Sequence, residues 1–349
     1  MPTDAMVLWL TIMIQTNCLN DVIGLRVGHA DDQQLCSGVT AIIFDRPCVA
    51  SVVVLGGAPG GRDLGLLEPA MTVERVDAIV LGGGSAFGLD AAGGVQAALR
   101  EDGRGFPVAG TRVPLVPQAI LFDLANGGDK NWSRFSPYRD FGYAAARGAT
   151  ATTVALGSVG AGMGATTATV KGGLGCASTM TVGGHTVAAL VAVNALGSPL
   201  IGDGPWFWAA PFEVAAEFGG LGWPARMGPE ATALRTKGRP QPATTIGLVA
   251  TDATLTKAQA HRLATMAHDG LARAVLPAHA PMDGDTIFAA ATAARPLAGP
   301  GDLTELGHAA ASVFARAMAR GVYEATSFPG GQPSWHDRFA ATPIGAPAA

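Results

Sequence analysis

Five short apolar runs, rich in β-branched residues and separated by Gly- and Pro-containing turns, limit what this chain can become: residues 49–55, 77–81, 151–156, 186–193 and 245–250. Runs of that length without polar alternation read as strands buried on both faces. Such strands need other elements to cover them, and the helix signals lie in between and after. Thr256 and Gln259 form a capping box ahead of an apolar stripe at Leu263, Met266, Ala267 and Leu271. Asp302 and Glu305 repeat the device before Ala309, Val313, Met318 and Val322. A further helix is expected from near Ser85 toward Leu99. Strands with helices in both halves predict a layered α/β or α+β domain. The length of 349 residues allows one large domain or two small ones.

One stretch breaks the pattern. Residues 224–243 have no apolar period, four prolines, and the positive charges of Arg226, Arg235, Lys237 and Arg239. An exposed, mobile loop is expected there, ending abruptly at Thr244, where a strand begins. Such a junction can be an ordinary long surface loop or a place where the chain is cut without unfolding. A threonine freed as a chain terminus carries its own base, because an α-amine has a pKa of about 7.7–8. The following strand would hold its Oγ rigidly.

Other residues stand out by position. Lys171 is the only Asp, Glu, Lys or Arg between Arg147 and Asp203. In so apolar and Gly-rich a segment it is either partly buried, with a lowered pKa, or snorkelling to solvent from a turn. Asp283 and Asp285 flank a glycine before an apolar strand. They can orient an ammonium and raise one another's pKa, or simply cap the strand. Asn194 ends an apolar run, as an oxyanion donor or a turn former. Gly83, Gly84 and Ser85 follow a strand and open a helix, so their amides could bind a carbonyl oxygen.

The loop at Gly160, Gly162 and Ala165 has the outline of a dinucleotide fingerprint, but no acid occurs from Phe141 through Gly202 to meet a ribose. Residues 166–170 after it read as strand. A nucleotide cofactor is therefore not expected, nor any other cofactor. His261 and His268 read as surface or packing histidines, and no metal is expected. Charged residues make up 14% of the chain against about a quarter usually. So few charges suggest extensive burial by layers or other subunits. The net charge of −4 draws the protein neither to nucleic acid nor to a membrane surface. The four cysteines form no CxxC pair and are expected as free thiols in a reducing compartment. The apolar segment 5–14 is too short to span a bilayer and lacks a signal peptide's flanks. A cytoplasmic location is expected, with residues 1–19 as an N-terminal extension and 20–349 as a single domain.

Taken in order, seven blocks resemble one family, the DmpA-type or P1 peptidases. It includes L-aminopeptidase/D-amidase-esterases, β-peptidyl aminopeptidases and nylon-oligomer hydrolases. The blocks are IGLRVGHADD at Ile23, VVVLGGAPGGRDLGLL at Val52, VLGGGSAFGLDAAGGV at Val80, SVGAGMGATTATVKGGLG at Ser158, VAVNALG at Val191, TTIGLVATDATLT at Thr244 and MDGDTIFAAAT at Met282. The resemblance implies an α+β, N-terminal-nucleophile-like αββα sandwich, also seen in ornithine acetyltransferases. It implies self-cleavage between Ala243 and Thr244 into chains 1–243 and 244–349, and a homo-oligomer, a tetramer of these heterodimers. It matches Thr244 to the nucleophile, Asn194 to the oxyanion-stabilising asparagine, Lys171 to the active-site lysine of the nylon-oligomer branch and Tyr138 to a site tyrosine. Thr244 with Asp283 and Asp285 departs from the Ser and Ser-x-Glu of the aminopeptidases and resembles the nylon-oligomer branch. The expected activity is release of N-terminal residues from peptides, amides or esters. The alternatives are endo-hydrolysis of ω-amino-acid oligomers and acyl transfer of the ornithine-acetyltransferase type.

Overall fold

The computed structural model describes residues 16–238 and 242–339. The architecture turns on one long strand, β2 (Ser37–Val54). Its first part pairs antiparallel with β1 (Leu25–Asp32), and its last six residues pair antiparallel with β11 (Thr286–Arg295). The opposite edge carries β4 (Arg75–Gly82), followed by the short β7 (Gln118–Ile120) and β3 (Gly61–Arg62). Beyond β11 lie β10 (Thr244–Ala253), β9 (Thr186–Asn194) and β8 (Gly173–Met180). The pair β10–β11 is parallel, whereas β10–β9 and β9–β8 are antiparallel. A separate hairpin joins β5 (Phe106–Val108) and β6 (Thr111–Val113).

Side-chain alternation along the strands builds three cores. On β9, Val187, Ala189, Val191 and Val193 pack with residues of α3 (Lys257–Ala274) and α4 (Pro300–Tyr323). The alternate residues Ala188, Leu190 and Ala192 face the other way, into a core shared with Leu25, Ile42, Phe44 and Ile79. A third core sets Val39, Ile43 and Val80 against α1 (Ala91–Glu101) and α2 (Tyr138–Arg147). The layers therefore run helix, sheet, sheet, helix, the expected αββα order, with β2 bonding the two sheet layers to each other. Helix α4 lies close on β8 because a Cβ at Gly175 would meet the Ala317 carbonyl oxygen at 1.8 Å, so only a bare backbone fits there.

Most local expectations hold, and the exceptions have physical reasons. The Thr256–Gln259 capping box opens α3 as expected. At α4 the N-cap is Gly299, and Asp302 instead accepts the Ala298 N–H at 2.6 Å, because Pro300 starts the helix earlier. The helix expected from Ser85 begins as a 3-10 turn, Ser85–Asp90, before α1. Residues 151–156 are a largely exposed connection, not a buried strand. Residues 166–170 are a tight turn closed by a Thr166–Lys171 bridge. Cys18 and Cys176 form a disulfide, with Cα atoms 5.0 Å apart, while Cys36 and Cys48 are free and buried. Their spacing of 158 residues hides a contact made only when Cys18 and Leu19 fold into the inter-sheet core. The free-thiol expectation is thus corrected for Cys18 and Cys176 and holds for Cys36 and Cys48, and the ground for a reducing compartment goes with the correction. No described helix is long and apolar enough to cross a membrane. The apolar segment 5–14 lies outside the described residues.

Candidate active site

Thr244 is the first residue of β10 and stands directly opposite Asn194, the last residue of β9. Cross-strand partners share a face. Ile246, Leu248 and Ala250 place the even residues of β10 in the inter-sheet core, so Thr244 and Asn194 close one end of that core. Both are buried. The Thr244 hydroxyl lies 2.5 Å from the Ala243 carbonyl oxygen, which also accepts the Gly284 N–H at 2.9 Å. The Ala243 N–H in turn donates to the Met282 carbonyl oxygen, so residues 282–284 clamp Ala243 in a parallel bridge.

The two aspartates divide the work around this bond. Asp285 Oδ1 accepts the Thr245 N–H at 2.9 Å, and Oδ2 accepts the His279 N–H and meets its Nδ1 at 2.9 Å. That carboxylate ties the start of β10 to the loop before β11. The ring of His279 packs edge-on at 4.9 Å against His268, which is buried, bonded to the Val53 carbonyl oxygen and driven down to about 4 by burial. Asp283 Oδ2 accepts the Ala280 N–H, whereas Oδ1 is buried with no hydrogen-bond partner. Burial and the neighbouring Asp285 charge push the Asp283 carboxyl up to about 6, against the pull of nearby N–H groups and Lys237.

This shift has a measurable consequence. A raised carboxyl pKa means that the folded chain binds the Asp283 proton more tightly than the unfolded one. Between about pH 4 and pH 6 the folded state carries more protons, so the contribution of this group to stability falls as pH rises. Asp283→Asn, which cannot ionise, should melt near the wild-type temperature at pH 4. Above pH 6 it should melt higher, by on the order of 2–6 °C. Thermal melts from pH 4 to 7 check this, and parallel curves for the two proteins would contradict it.

Asn194 is held by both ends. Its Oδ1 accepts the Thr166 N–H at 3.0 Å and Lys237 Nζ at 2.9 Å, while its Nδ2 donates to the Phe122 carbonyl oxygen at 2.9 Å. Lys171 is fully buried, with no snorkelling. Its Nζ donates to the carbonyl oxygens of Gly162, Ala165 and Gly172, and burial lowers its pKa to about 7. The ammonium thus fastens the turn that presents Thr166 to Asn194. Tyr138 donates to Ser37 Oγ at 2.9 Å, and Ser37 donates to Asp123 Oδ2 at 2.6 Å. The loop amides expected to meet a ligand donate inside the protein instead: Gly83 to the Gly38 carbonyl, Gly84 to Asp123 Oδ1 and Ser85 to the Leu121 carbonyl. Folded this way, the loop cradles Asp123, whose carboxyl burial pushes up.

The geometry adds Lys237, Asp123, His279 and the Gly284 amide to the residues expected from sequence. Lys237 belongs to a stretch whose composition reads as solvated, and His279 to a short loop without periodicity. Asp123 alone carried a signal, as an acid ending the apolar run 119–122.

The model for Peptidase family S58 matches residues 17–334. An uncharacterized aminopeptidase of Mycobacterium tuberculosis is 42% identical over 348 residues, covering 93% of this chain and 98% of the relative. A 6-aminohexanoate-oligomer endohydrolase of a Kocuria species is 27% identical, covering 78% of this chain and 74% of the relative. Among solved structures, the L-aminopeptidase D-Ala-esterase/amidase of Ochrobactrum anthropi superposes with a TM-score of 0.67 at 20% identity. It covers 93% of both chains and is described as a variant of the Ntn-hydrolase fold.

Proposed function

The chain belongs to peptidase family S58 and is a peptidase of the aminopeptidase and amidase class; from that premise we propose that Thr244 is its nucleophile, exposed by self-cleavage after Ala243. The observation that carries this reading is the arrangement around one peptide bond. A buried hydroxyl lies 2.5 Å from the Ala243 carbonyl oxygen, and the Gly284 N–H already donates to that oxygen. In the first reaction Thr244 Oγ adds to the Ala243 carbonyl carbon and gives up its proton, for which the assigned acceptor is Asp283, bridged to Ala243 along the backbone and with its carboxyl pushed up to about 6. The Gly284 N–H stabilises the charge that develops on the Ala243 oxygen. The C–N bond then breaks, the nitrogen takes a proton, and an ester joins Ala243 to Thr244 Oγ. Water hydrolyses that ester, leaving a carboxylate on Ala243 and a free hydroxyl and α-amine on Thr244.

The mature reaction repeats the sequence on a substrate amide. The Thr244 α-amine now serves as the base, and Asp285 holds the adjacent Thr245 N–H so that the new terminus stays in place. Asn194, across the strand pair, is the group we assign to the substrate oxyanion, through the second Nδ2 hydrogen, the one not given to the Phe122 carbonyl oxygen. Tyr138 and Lys171 act through Asp123 and the Thr166 turn. The homo-oligomer is carried in the same reading. It is supported by the exposed Phe106, Val108 and Val113 on the β5–β6 hairpin.

The test is the intact mass of the denatured protein. Two chains meeting between Ala243 and Thr244 are expected, and one full-length chain that stays whole for days would overturn the reading. An endo-acting hydrolase of ω-amino-acid oligomers is the second reading, favoured by the Thr244, Lys171, Asp283 and Asp285 set. Product analysis separates the two, since the aminopeptidase liberates single N-terminal residues and the endohydrolase liberates internal fragments.

A further inference from the structure

Lys237 lies six residues before Ala243, in the stretch that ends at the proposed cut, and the mechanism above gives it no task. Its Nζ donates to the Asn194 carbonyl oxygen at 3.0 Å and to Asn194 Oδ1 at 2.9 Å. Both acceptors are neutral oxygens. Burial depresses the lysine to about 7, while Asp283 and Asp123 pull in the opposite direction. The residue is half-buried as a whole, and desolvating its ammonium is costly unless the site is built to receive one. The site has that build: two converging carbonyl-type oxygens, and the Asp283 carboxylate within electrostatic reach with one buried oxygen lacking any partner. Lys237 also walls a solvent-open cavity of about 540 Å³, together with Asn126, Thr166, Thr167 and Gln332. The ammonium therefore sits between that opening and Asn194, which the strand register sets beside Thr244.

We propose that Lys237 occupies, in the uncut chain, the seat of a substrate's primary ammonium, formed by Asn194 O and Oδ1 and faced by Asp283. The proposal rests on cleavage at Ala243, which frees the tail carrying Lys237 to withdraw and open the seat. Until then the chain is plugged by its own side chain. Afterwards, an ammonium is fixed on Asn194, the cross-strand partner of Thr244, whose Cα stands about 4.5–5.5 Å away. That spacing selects substrates whose free amine is one residue from the attacked carbonyl, and it favours exo- over endo-action.

The test uses the full-length chain held uncut by Thr244→Ala, with and without Lys237→Met, titrated with n-butylammonium chloride by calorimetry. The double variant should bind at least tenfold more tightly than Thr244→Ala alone, because its seat is vacant. Tetramethylammonium, which has no N–H to donate, should bind neither. Equal affinity of the two proteins for n-butylammonium, or tetramethylammonium binding as tightly as n-butylammonium, would overturn the proposal. If Lys237→Met does not melt cooperatively, Lys237→Gln takes its place in the same titration. The readout needs no cleavage, so the two ideas fail separately. A wild-type chain that is never cut removes Thr244 as nucleophile, whereas two wild-type chains with no affinity difference between the variants remove only the ammonium seat.

Discussion

Thr244→Ala should leave a single 349-residue chain with no detectable amide hydrolysis, a loss on the order of 10⁶-fold in kcat where a nucleophile is deleted outright. Both losses have one cause. The hydroxyl 2.5 Å from the Ala243 carbonyl oxygen is the group proposed to attack that carbonyl first and substrates later. Thr244→Ser separates this cause from a folding defect. Serine keeps the hydroxyl and, after cutting, the α-amine. It loses only the Cγ2 methyl, so it should still yield two chains and retain measurable activity. Denaturing intact-mass spectra of the three proteins, followed over days, check the first loss, and release of an N-terminal residue from a dipeptide amide checks the second. A Thr244→Ala protein that is processed and active would remove Thr244 from the mechanism. The alanine side chain fits the same buried site, so melting temperatures close to wild type are expected for both variants.

What could be read from the chain beforehand was whatever is local. Strands β9 and β10 announce themselves as continuous β-branched runs, and α3 by a capping box that acts over three residues. The junction at Thr244 was legible because polar, Pro-rich sequence meets apolar sequence at a single position. Lys171 was legible as the lone charge in an apolar segment, though its three carbonyl partners were not. The missed features are contacts between distant segments. Asp123 meets Ser37 across 86 residues, and Cys18 meets Cys176 across 158. Lys237 reaches Asn194 from a segment that by composition should prefer water. Residues 151–156 misled because β-branched composition alone does not make a strand without a partner edge. The same long-range pairing explains β2, whose two halves serve different neighbours on one edge.

Gly284→Ala tests the other half of the self-cleavage geometry, the side that receives the charge. Gly284 is bracketed by two parts of the site. A Cβ there would lie 2.6 Å from Thr244 Oγ, 3.1 Å from its Cγ2 and 3.0 Å from the Ala58 carbonyl oxygen. Backbone on one side and the nucleophile on the other leave the added methyl no open direction. Either the Thr244 side chain rotates away from the Ala243 carbonyl, or the 282–284 segment shifts and draws the Gly284 N–H off the Ala243 oxygen. In the first case attack is misaligned. In the second the developing oxyanion loses a donor, a loss that typically costs about 10²–10³-fold in rate. The expected result is therefore slow cutting, not the complete block of Thr244→Ala: self-cleavage about 100-fold slower, with a full-length band that persists and then decays. A time course of intact masses after rapid purification measures it. Cleavage at the wild-type rate would mean that the Gly284 amide is not the donor and that the Ala243 oxygen is stabilised from elsewhere. Because Asp285 keeps its bonds to Thr245 and His279 in either distortion, the variant should retain its fold, and a cooperative melt distinguishes slow chemistry from collapse of the site.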